Sequence, residues 1–400
     1  MKHFLIFGTH PRLSLAEFHA IRPQLDAPIL IGHAAIVEDA KWDGTMLMET
    51  LGGTVKLGEI VDEFSMDEMS ADRLADLIQK STNVENLDFG FTVFGGTERM
   101  QKDLQKMPIG LKHALKDRGI RSRWVTSKEG AALSPAAVAK LKLTEYGTDI
   151  VCIISSGKAY IGKTTHVQNA DAWSERDFGR PARDDEAGML PPKLARILTN
   201  LARVQKGETL LDPFCGNGTI LMEAALVTRA KRIIGSDIET RQSASSQRNL
   251  EWLVAQEILT EQDAERTTIF AADARNLDDR LDPSSINVVV SEGMMGPPLR
   301  GYESQSAIER NAKEISALWM QTLDHLRPTL VKGARLVIVW PSFKTDNGIA
   351  RVGLDEEVAR IGYRVVNPLG EWDTSNGPLI YHRQGQRVAR RIVVLTYVGN

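Results

Sequence analysis

The sequence has little cysteine and no long apolar run. Its 400 residues include two cysteines, Cys152 and Cys215, both in apolar segments typical of strands. This count excludes a disulfide framework and a zinc site built from cysteines. No apolar stretch approaches the length that spans a bilayer, and MKHFLIFGTH reads as a strand without a signal-peptide cleavage pattern. We therefore expect no bound metal, no membrane partner and a reducing, cytoplasmic location.

The sequence also lacks an excess of positive charge. Lys and Arg number 49 against 52 Asp and Glu, which gives a net charge of −3. Such a balance argues against a nucleic-acid partner, because neutralising phosphates normally supplies most of the affinity. The charge is unevenly distributed, however, because an acidic stretch at 59–88 is followed by a basic segment at 102–142.

The basic segment predicts a helix interrupted near Pro108 and Gly110, followed by a basic strand, IRSRWVTS. Lys112 and Lys116 are one helical turn apart. Taken alone, this pattern fits either the solvated face of an amphipathic helix or a surface that binds a polyanion.

The most informative segment is TLLDPFCGNGTI, residues 209–220, in which an apolar strand ends at Asp212 and a glycine turn opens a helix. Gly216 and Gly218 let the backbone approach a ligand, and Asn217 lies between them. The first turn of the helix offers unpaired N–H groups with partial positive charge. The segment lacks the third glycine of the dinucleotide fingerprint, so it indicates a nucleoside site rather than a pyrophosphate site.

Three further predicted strands end in acidic residues: RIIGSDI at Asp237, TTIFAADA at Asp273 and INVVVSE at Glu292. In an open α/β sheet the ligand lies beyond the carboxyl ends of the strands, so these side chains and Asp212 would converge on one crevice. Asp237 follows the glycines by about twenty residues, where a carboxylate accepts hydrogen bonds from ribose hydroxyls. One such residue is commonly a turn former or a helix cap, but four in this order favour a ligand site.

The segment from Asp212 to Ile220 resembles the first motif of class I S-adenosylmethionine-dependent methyltransferases, in the form found in RNA-modifying members with a THUMP domain. Five other segments are similar to the tRNA guanosine-10 N2-methyltransferases: FLIFGTHPRLSLAEF, LGGTVKLGEI, LTEYGTDIVCII, RPARDDEAGMLPPKLARILTNLA and YHRQGQRVARRIVVLTYV. The resemblance covers most of the chain. It implies S-adenosylmethionine as cofactor, tRNA or another structured RNA as partner, and methylation at N2 of a guanosine. The residues implied to bind the cofactor are Asp212, Gly216, Asn217, Gly218, Asp237, Ile238, Asp273 and Ala274.

The resemblance also implies how the chain is divided into domains. We expect a ferredoxin-like domain at 1–65, a THUMP domain at 66–168, a polar linker at 169–188 and a methyltransferase domain at 189–400. Inside a THUMP-like domain, the basic segment is interpreted as a contact with the RNA backbone. The residues expected to make that contact are Lys112, Lys116, Arg118, Arg121 and Arg123.

The fold class that follows is α/β, with small α+β domains before a doubly wound sheet in which strands alternate with helices. Five strands of that sheet are expected at 209–214, 232–238, 267–273, 286–291 and 334–341. The resemblance implies that the last strand is antiparallel, and the short connection between YRVVNPL and RVARRIVVLTYV permits this.

The loop after the fourth strand departs from the resemblance. Methylases of exocyclic amines usually have Asp or Asn, two prolines and an aromatic residue here, whereas this chain reads Ser-Glu-Gly-Met-Met-Gly-Pro-Pro from residue 291. Glu292 is the candidate catalytic residue, because its carboxylate can replace the usual acceptor of the amine N–H groups. Tyr302 could supply an aromatic side chain. The alternatives left open are a catalytically silent RNA-binding protein that retains the cofactor pocket, and a methyltransferase that acts on rRNA or DNA.

Overall fold

The computed structural model describes residues 1–81, 84–126, 133–183, 189–297, 299, 303–345, 348–375, 377–383 and 385–399. The chain forms two compact units. The first comprises Met1–Ser14 and Gln24–Ala172, and the second comprises Leu15–Pro23 and Trp173–Asn400. The boundary at Ala172 lies inside the predicted linker, whose last five residues fall outside the described part of the chain. Among the described residues, no helix is both long and apolar enough to cross a bilayer.

The first unit contains eight strands and most of the short helices. The strands are β1 (Lys2–Phe7), β2 (Ile29–Ile31), β3 (Ala34–Glu38), β4 (Thr54–Ser65), β5 (Asn86–Gly95), β6 (Arg121–Trp124), β7 (Thr148–Ser155) and β8 (Lys158–Val167). The helices are α1 (Pro11–Ile21), α2 (Gly44–Thr50), α3 (Ala71–Ser81), α4 (Glu98–Leu104), α5 (Met107–Asp117), α6 (Pro135–Lys140) and α7 (Ala170–Ser174), of which α1 and α7 cross the boundary between the units.

All eight strands join in one sheet with the order β2-β3-β1-β4-β8-β7-β5-β6. The predicted boundary at residue 65 coincides with the end of β4, and β4 pairs with β8 along most of its length. This pairing joins strands of the predicted ferredoxin-like and THUMP domains within a single unit, and the division into those two domains stays a prediction.

The basic segment of the first unit forms α4, α5 and β6, as the sequence indicates in outline. The predicted split into two helical pieces is confirmed, since α4 ends at Leu104 and α5 begins at Met107, just before Pro108, whereas Gly110 lies inside α5 and does not interrupt it. Pro108 lies in the first turn of α5, where its missing N–H has no helical partner to lose. The apolar face of α5 packs beside α3 and β5 in one core through the residues Leu74, Ile78, Phe89, Leu111 and Leu115.

The second unit is built on a nine-stranded sheet. Its strands are β9 (Thr209–Asp212), β10 (Arg232–Asp237), β11 (Thr267–Ala271), β12 (Ile286–Glu292), β13 (Leu330–Thr345), β14 (Gly348–Arg351), β15 (Tyr363–Val366), β16 (Leu379–Tyr381) and β17 (Val388–Tyr397). Its helices are α8 (Pro192–Leu201), α9 (Thr219–Val227), α10 (Thr240–Ala255), α11 (Glu261–Ala264), α12 (Gln305–Leu326) and α13 (Asp355–Arg360).

The main strand order is β11-β10-β9-β12-β13-β17-β15, with β14 paired to β13 and β16 paired to β17. Strands β9 to β13 are parallel, whereas β17 runs antiparallel to both β13 and β15. The doubly wound sheet with an antiparallel last strand is therefore confirmed. Trp319 of α12 and Trp340 of β13 are fully buried in its core. Because β9, β10, β11 and β12 are parallel, their carboxyl ends lie at one edge of the sheet, where the four predicted acidic residues are placed.

Candidate active site

A cavity of about 530 Å³ lies at the carboxyl ends of the parallel strands in the second unit. Its wall includes the candidate catalytic Glu292 and seven of the eight residues predicted to bind a cofactor. Those seven are Asp212, Gly216, Asn217, Asp237, Ile238, Asp273 and Ala274. The structure thus brings together residues that span 80 positions of the sequence, as the alternation of strands and acidic ends predicts.

The glycine turn after β9 is shaped by left-handed backbone at Gly216 (φ 50°) and Gly218 (φ 78°). A Cβ at Gly218 would lie 2.8 Å from Oγ of Ser246, so this position has no room for a side chain. Gly218 does not line the cavity, and its role in the structure is to form the turn and cap α9. Helix α10 holds the same turn, because Ser246 Oγ donates to the Gly216 carbonyl at 2.7 Å and Asn249 Nδ2 donates to the Asn217 carbonyl at 2.8 Å.

Asp237, at the end of β10, is bound to the glycine turn through its carboxylate. Oδ2 accepts a hydrogen bond from the backbone N–H of Gly216 at 3.0 Å, and Oδ1 accepts one from Glu239 N–H at 3.0 Å. Each carboxylate oxygen has two lone pairs, so Asp237 keeps acceptor capacity toward the cavity. The next residue, Ile238, is 64% exposed and offers an apolar surface in the cavity wall.

Asp273, after β11, has the cap role that a lone aspartate commonly has. Its Oδ1 accepts a hydrogen bond from the backbone N–H of Arg275 at 2.9 Å, at the start of a short 3₁₀ helix, Ala274–Asp279. The Arg275 guanidinium also binds both carboxylate oxygens, and its hydrogen bonds hold the pKa of Asp273 below the usual value. Ala274 is buried beneath this turn.

Asp212 differs from the other carboxylates because it is almost completely buried, with 1% of its surface exposed. Its Oδ1 accepts hydrogen bonds from Ser291 Oγ at 2.6 Å and from the backbone N–H of Phe214 at 3.2 Å. Burial is the largest cause that raises the pKa of Asp212, to about 7, and the neighbouring charges of Asp237 and Glu292 act in the same direction. A pKa near 7 means that both the protonated and the ionised form of Asp212 are populated at neutral pH.

Glu292, at the end of β12, forms an ion pair with Arg390 of β17. Arg390 Nε donates to Oε2 at 2.5 Å and Nη2 donates to Oε1 at 2.9 Å, which is the bidentate geometry of a strong arginine–carboxylate pair. The side chains of Glu292 and Arg390 are 11% and 7% exposed. Burial lowers the pKa of Arg390, but the charge and hydrogen bonds of Glu292 outweigh it, so the pKa is raised overall.

The packing around the loop after Glu292 explains part of the unusual sequence of that loop. A Cβ at Gly293 would lie 2.8 Å from the indole ring of Trp319, so the position directly after the glutamate has no room for proline. Met294 and Met295 line the cavity, and Met294 is 49% exposed. Pro298 and Tyr302 lie outside the described residues.

Sequence reasoning missed several residues that shape this site. Arg390 and Arg275 bind two of the predicted carboxylates, and Gln242 and Leu318 line the cavity from α10 and α12. Only Arg275 had a local signal, since an arginine two residues after a capping aspartate can bind it. The others reach the site through tertiary packing.

The five basic residues predicted to contact RNA lie in the first unit and fall into two groups. Lys112, Lys116 and Arg121 are exposed and have no ion pair among the residues that the structure describes. Arg118 binds two acidic residues of α3, Asp72 and Asp76, and Arg123 binds Asp88 of β5. Of these five, the three that have no ion pair within the described part of the chain lie on α5 and at the start of β6.

Comparisons with known proteins agree with this architecture. Residues 180–281 match the model of the RMKL-like methyltransferase domain. The tRNA (guanine(10)-N2)-dimethyltransferase of Methanothermobacter thermautotrophicus is 31% identical over 156 residues, which cover 39% of this chain and 40% of that protein. The enzyme of the same name from Methanocaldococcus jannaschii is 31% identical over 134 residues, which cover 34% of this chain and 37% of that protein. The match thus spans about 40% of the length of these relatives.

Two solved structures are similar along the whole chain. TrmN from Thermus thermophilus has a TM-score of 0.56 at 16% identity and covers 99% of this chain and 100% of its own. A possible methylase from Clostridium difficile 630 has a TM-score of 0.51 at 12% identity, with coverage of 100% and 99%. These similarities establish the class I methyltransferase fold, and the sequence matches confirm the resemblance to tRNA guanosine-10 N2-methyltransferases.

Proposed function

We propose that the protein is an S-adenosylmethionine-dependent RNA methyltransferase that methylates N2 of a guanosine in tRNA. The observation that carries this proposal is a cavity lined together by the glycine turn, Asp237 and Glu292 at the carboxyl edge of a class I methyltransferase sheet. The names of the relatives support the choice of tRNA and of the guanine N2 atom.

The cavity suits S-adenosylmethionine better than a dinucleotide. Its volume of about 530 Å³ is in the range of small-ligand sites, about 300–1,000 Å³. Five acidic residues line it, namely Asp212, Asp237, Glu239, Asp273 and Glu292. Arg275 lies in the same wall but is paired with Asp273. Because Arg390 neutralises Glu292 and Arg275 neutralises Asp273, Asp237 and Glu239 carry most of the remaining negative charge. That charge favours a ligand with a sulfonium and an ammonium group over one with the two negative charges of a pyrophosphate.

The residues of the cavity can be assigned roles in binding. Asp237 would accept hydrogen bonds from the ribose hydroxyls with the lone pairs that its backbone contacts leave free. The backbone of Gly216 and Asn217 would lie against the ligand, and Ile238 and Ala274 would provide apolar contact. Calorimetry should give micromolar affinity for S-adenosylhomocysteine, or about 8 kcal/mol. Tight binding of NADH without binding of S-adenosylhomocysteine would contradict the assignment.

S-adenosylmethionine supplies a methyl group on a sulfonium, which is already a reactive electrophile. The task of Glu292 is then to hold the nucleophile. Its carboxylate would accept a hydrogen bond from the exocyclic amine of guanine, direct the nitrogen lone pair at the methyl group and stabilise the positive charge that develops on nitrogen. Strong general-base catalysis is not needed, since the proton can leave to water after transfer.

The decisive experiment follows methyl transfer from labelled S-adenosylmethionine to unmodified tRNA, with nucleoside analysis of the product. We expect N2-methylguanosine from the parent protein, and a single-turnover rate roughly a hundredfold lower for Glu292→Ala, with cofactor and tRNA affinity retained. Parental rates in the variant would exclude this role for Glu292. A parent protein that binds S-adenosylhomocysteine and tRNA but methylates no RNA or DNA would indicate a silent RNA-binding protein, and methylation of rRNA or DNA alone would reassign the substrate.

We further propose that the basic segment contacts the RNA backbone. Lys112, Lys116 and Arg121 are the strongest candidates because they are exposed and unpaired among the described residues. Arg118 and Arg123 would contribute less, since binding a phosphate requires them to weaken their ion pairs with acidic side chains.

The triple variant Lys112→Glu, Lys116→Glu, Arg121→Glu should bind tRNA more weakly and with a shallower dependence of affinity on salt, because fewer counterions are released. A matched control is Lys206→Glu, Lys231→Glu, Arg232→Glu. Those residues are exposed near the start of β9 and β10, at the sheet edge opposite the cavity, and the total change of charge is the same. Equal salt slopes for the parent and the first variant would place the RNA site elsewhere.

A further inference from the structure

The pair formed by Glu292 and Arg390 joins two residues that are 98 positions apart in the sequence. Strand β13 lies between them. Glu292 of β12 is opposite Val339, which is opposite Ile392 of β17, and Arg390 is two residues from Ile392 on the same face of the sheet. The arginine therefore reaches across one strand to the end of β12, and the strand register fixes its position.

Without a partner, the carboxylate of Glu292 would have considerable conformational freedom. Its side chain has one more torsion than aspartate, and the next residue is Gly293, which leaves the backbone after β12 freer than any other residue would. A carboxylate with this freedom samples several orientations, and only some of them point an oxygen lone pair at a bound base. Two parallel hydrogen bonds from a planar guanidinium restrict the carboxylate to one plane.

The pairing leaves Glu292 able to act on a substrate. Each carboxylate oxygen has two lone pairs, and Arg390 occupies one on each. Glu292 lines the cavity, whereas Arg390 is not among the residues of the cavity wall. The remaining lone pairs of Glu292 are thus available to a ligand, and the arginine acts on that ligand only through the glutamate.

We propose that Arg390 is a positioning residue for methyl transfer, which holds the carboxylate of Glu292 in the orientation that accepts the amine N–H of the substrate base. Because this role presupposes the methyl transfer proposed above, the test must separate a failure of the role from a failure of the activity.

The test compares single-turnover methylation of unmodified tRNA by the parent, Arg390→Met, Arg390→Lys, Glu292→Ala and the double variant Glu292→Ala, Arg390→Met. We expect Arg390→Met to be slower by about a hundredfold, the cost of a misplaced catalytic group. Arg390→Lys should be faster than Arg390→Met but slower than the parent, since lysine keeps the positive charge but cannot donate two parallel hydrogen bonds from a planar group. The double variant should be no slower than Glu292→Ala alone, because Arg390 acts through Glu292.

Arg391→Met is the matched control. Arg391 is the next residue of β17 and makes its own ion pair on the other face of the sheet, where its Nη2 donates to both carboxylate oxygens of Asp355. Its removal tests the general effect of losing an ion pair on this strand, and it should leave the rate within about twofold of the parent. Calorimetry with S-adenosylhomocysteine and tRNA binding should give parental affinities for all variants. A crystal structure of Arg390→Met should show the Glu292 carboxylate turned from its present orientation.

Three results would overturn the proposal while the parent is active: a parental rate in Arg390→Met, additive losses in the double variant, or an equal loss in Arg391→Met. If Arg390→Met does not fold, Arg390→Lys decides instead. A rate below that of the parent and a displaced Glu292 carboxylate in Arg390→Lys would support the proposal, and a parental rate in Arg390→Lys would count against it. A parent protein that binds S-adenosylhomocysteine but methylates no substrate would overturn the proposed function and this role with it.

Discussion

Replacing Asp212 by asparagine should change how the stability of the second unit depends on pH. The carboxyl group is buried, and burial raises its pKa to about 7. Asparagine has the same shape and keeps Oδ1, which can accept the existing hydrogen bonds from Ser291 and from the backbone N–H of Phe214. The substitution therefore removes the titration while it preserves most contacts of the side chain.

The sign and the size of the effect on the free energy of unfolding follow from the pKa values of Asp212 in the unfolded and the folded protein. The unfolded value is 3.8 and the folded value is about 7, so between them the folded protein binds a proton that the unfolded chain has released. The stabilisation from this proton is fully present below about pH 4 and is lost as the pH rises through about 7. As the pH rises from about 5 to about 8, ionisation of Asp212 should lower the free energy of unfolding by roughly 2–3 kcal/mol. Asparagine does not ionise, so the variant does not show this decrease in the free energy of unfolding.

Urea unfolding at several pH values is followed by tryptophan fluorescence in a background in which Trp42 and Trp124 of the first unit are replaced by phenylalanine, so that the signal comes from the second unit. As the pH rises from about 5 to about 8, the free energy of unfolding of the variant should gain roughly 2–3 kcal/mol relative to that of the parent. Ser291→Ala is a useful control, because it removes a hydrogen bond that lowers the pKa of Asp212 and should move the titration to higher pH. A difference between variant and parent that stays constant with pH would refute the reasoning.

Three further predictions concern the cavity and its support. Asp237→Ala should weaken S-adenosylhomocysteine binding about a hundredfold in calorimetry, because it removes the proposed ribose acceptor and the acceptor of the Gly216 N–H. Asn249→Ala should lower the same affinity about tenfold, since its side chain holds the glycine turn, and an unchanged affinity would show that the turn is rigid without it. Arg196→Met should lower the free energy of unfolding in urea by about 2 kcal/mol, because Glu223 loses charge-assisted hydrogen bonds but keeps Arg176 as a partner.

The fold of the second unit could be predicted because its signals are local. Strands β9 to β12 are short apolar runs that are each followed by a helix, and all four begin at the predicted residues. The small strands β14 and β16 were not foreseen, because four and three residues at a sheet margin carry too little pattern. The joining of β4 to β8 in the first unit was also not foreseen, because it pairs residues about a hundred positions apart and neither strand indicates its partner.

Contacts between residues that are distant in sequence were also the part of the site that could not be predicted. Asp212, Asp237, Asp273 and Glu292 were predicted together, because each ends its own strand and parallel strands end at one edge. Arg390 was not, because its place beside Glu292 depends on the register of two strand pairs and nothing in its neighbouring sequence records that register.

The loop after Glu292 shows why this limit matters for function. Judged by sequence, the missing prolines suggest a site that has lost its geometry. In the structure, the indole of Trp319 fills the space that a side chain at position 293 would need, and the guanidinium of Arg390 restrains the carboxylate. The indole thus accounts for the glycine at position 293, and the ion pair with Arg390, rather than adjacent prolines, restricts the orientation of the Glu292 carboxylate. For this reason the altered motif is better interpreted as a repacked site than as a degenerate one, and the rate of Arg390→Met relative to Arg391→Met distinguishes the two.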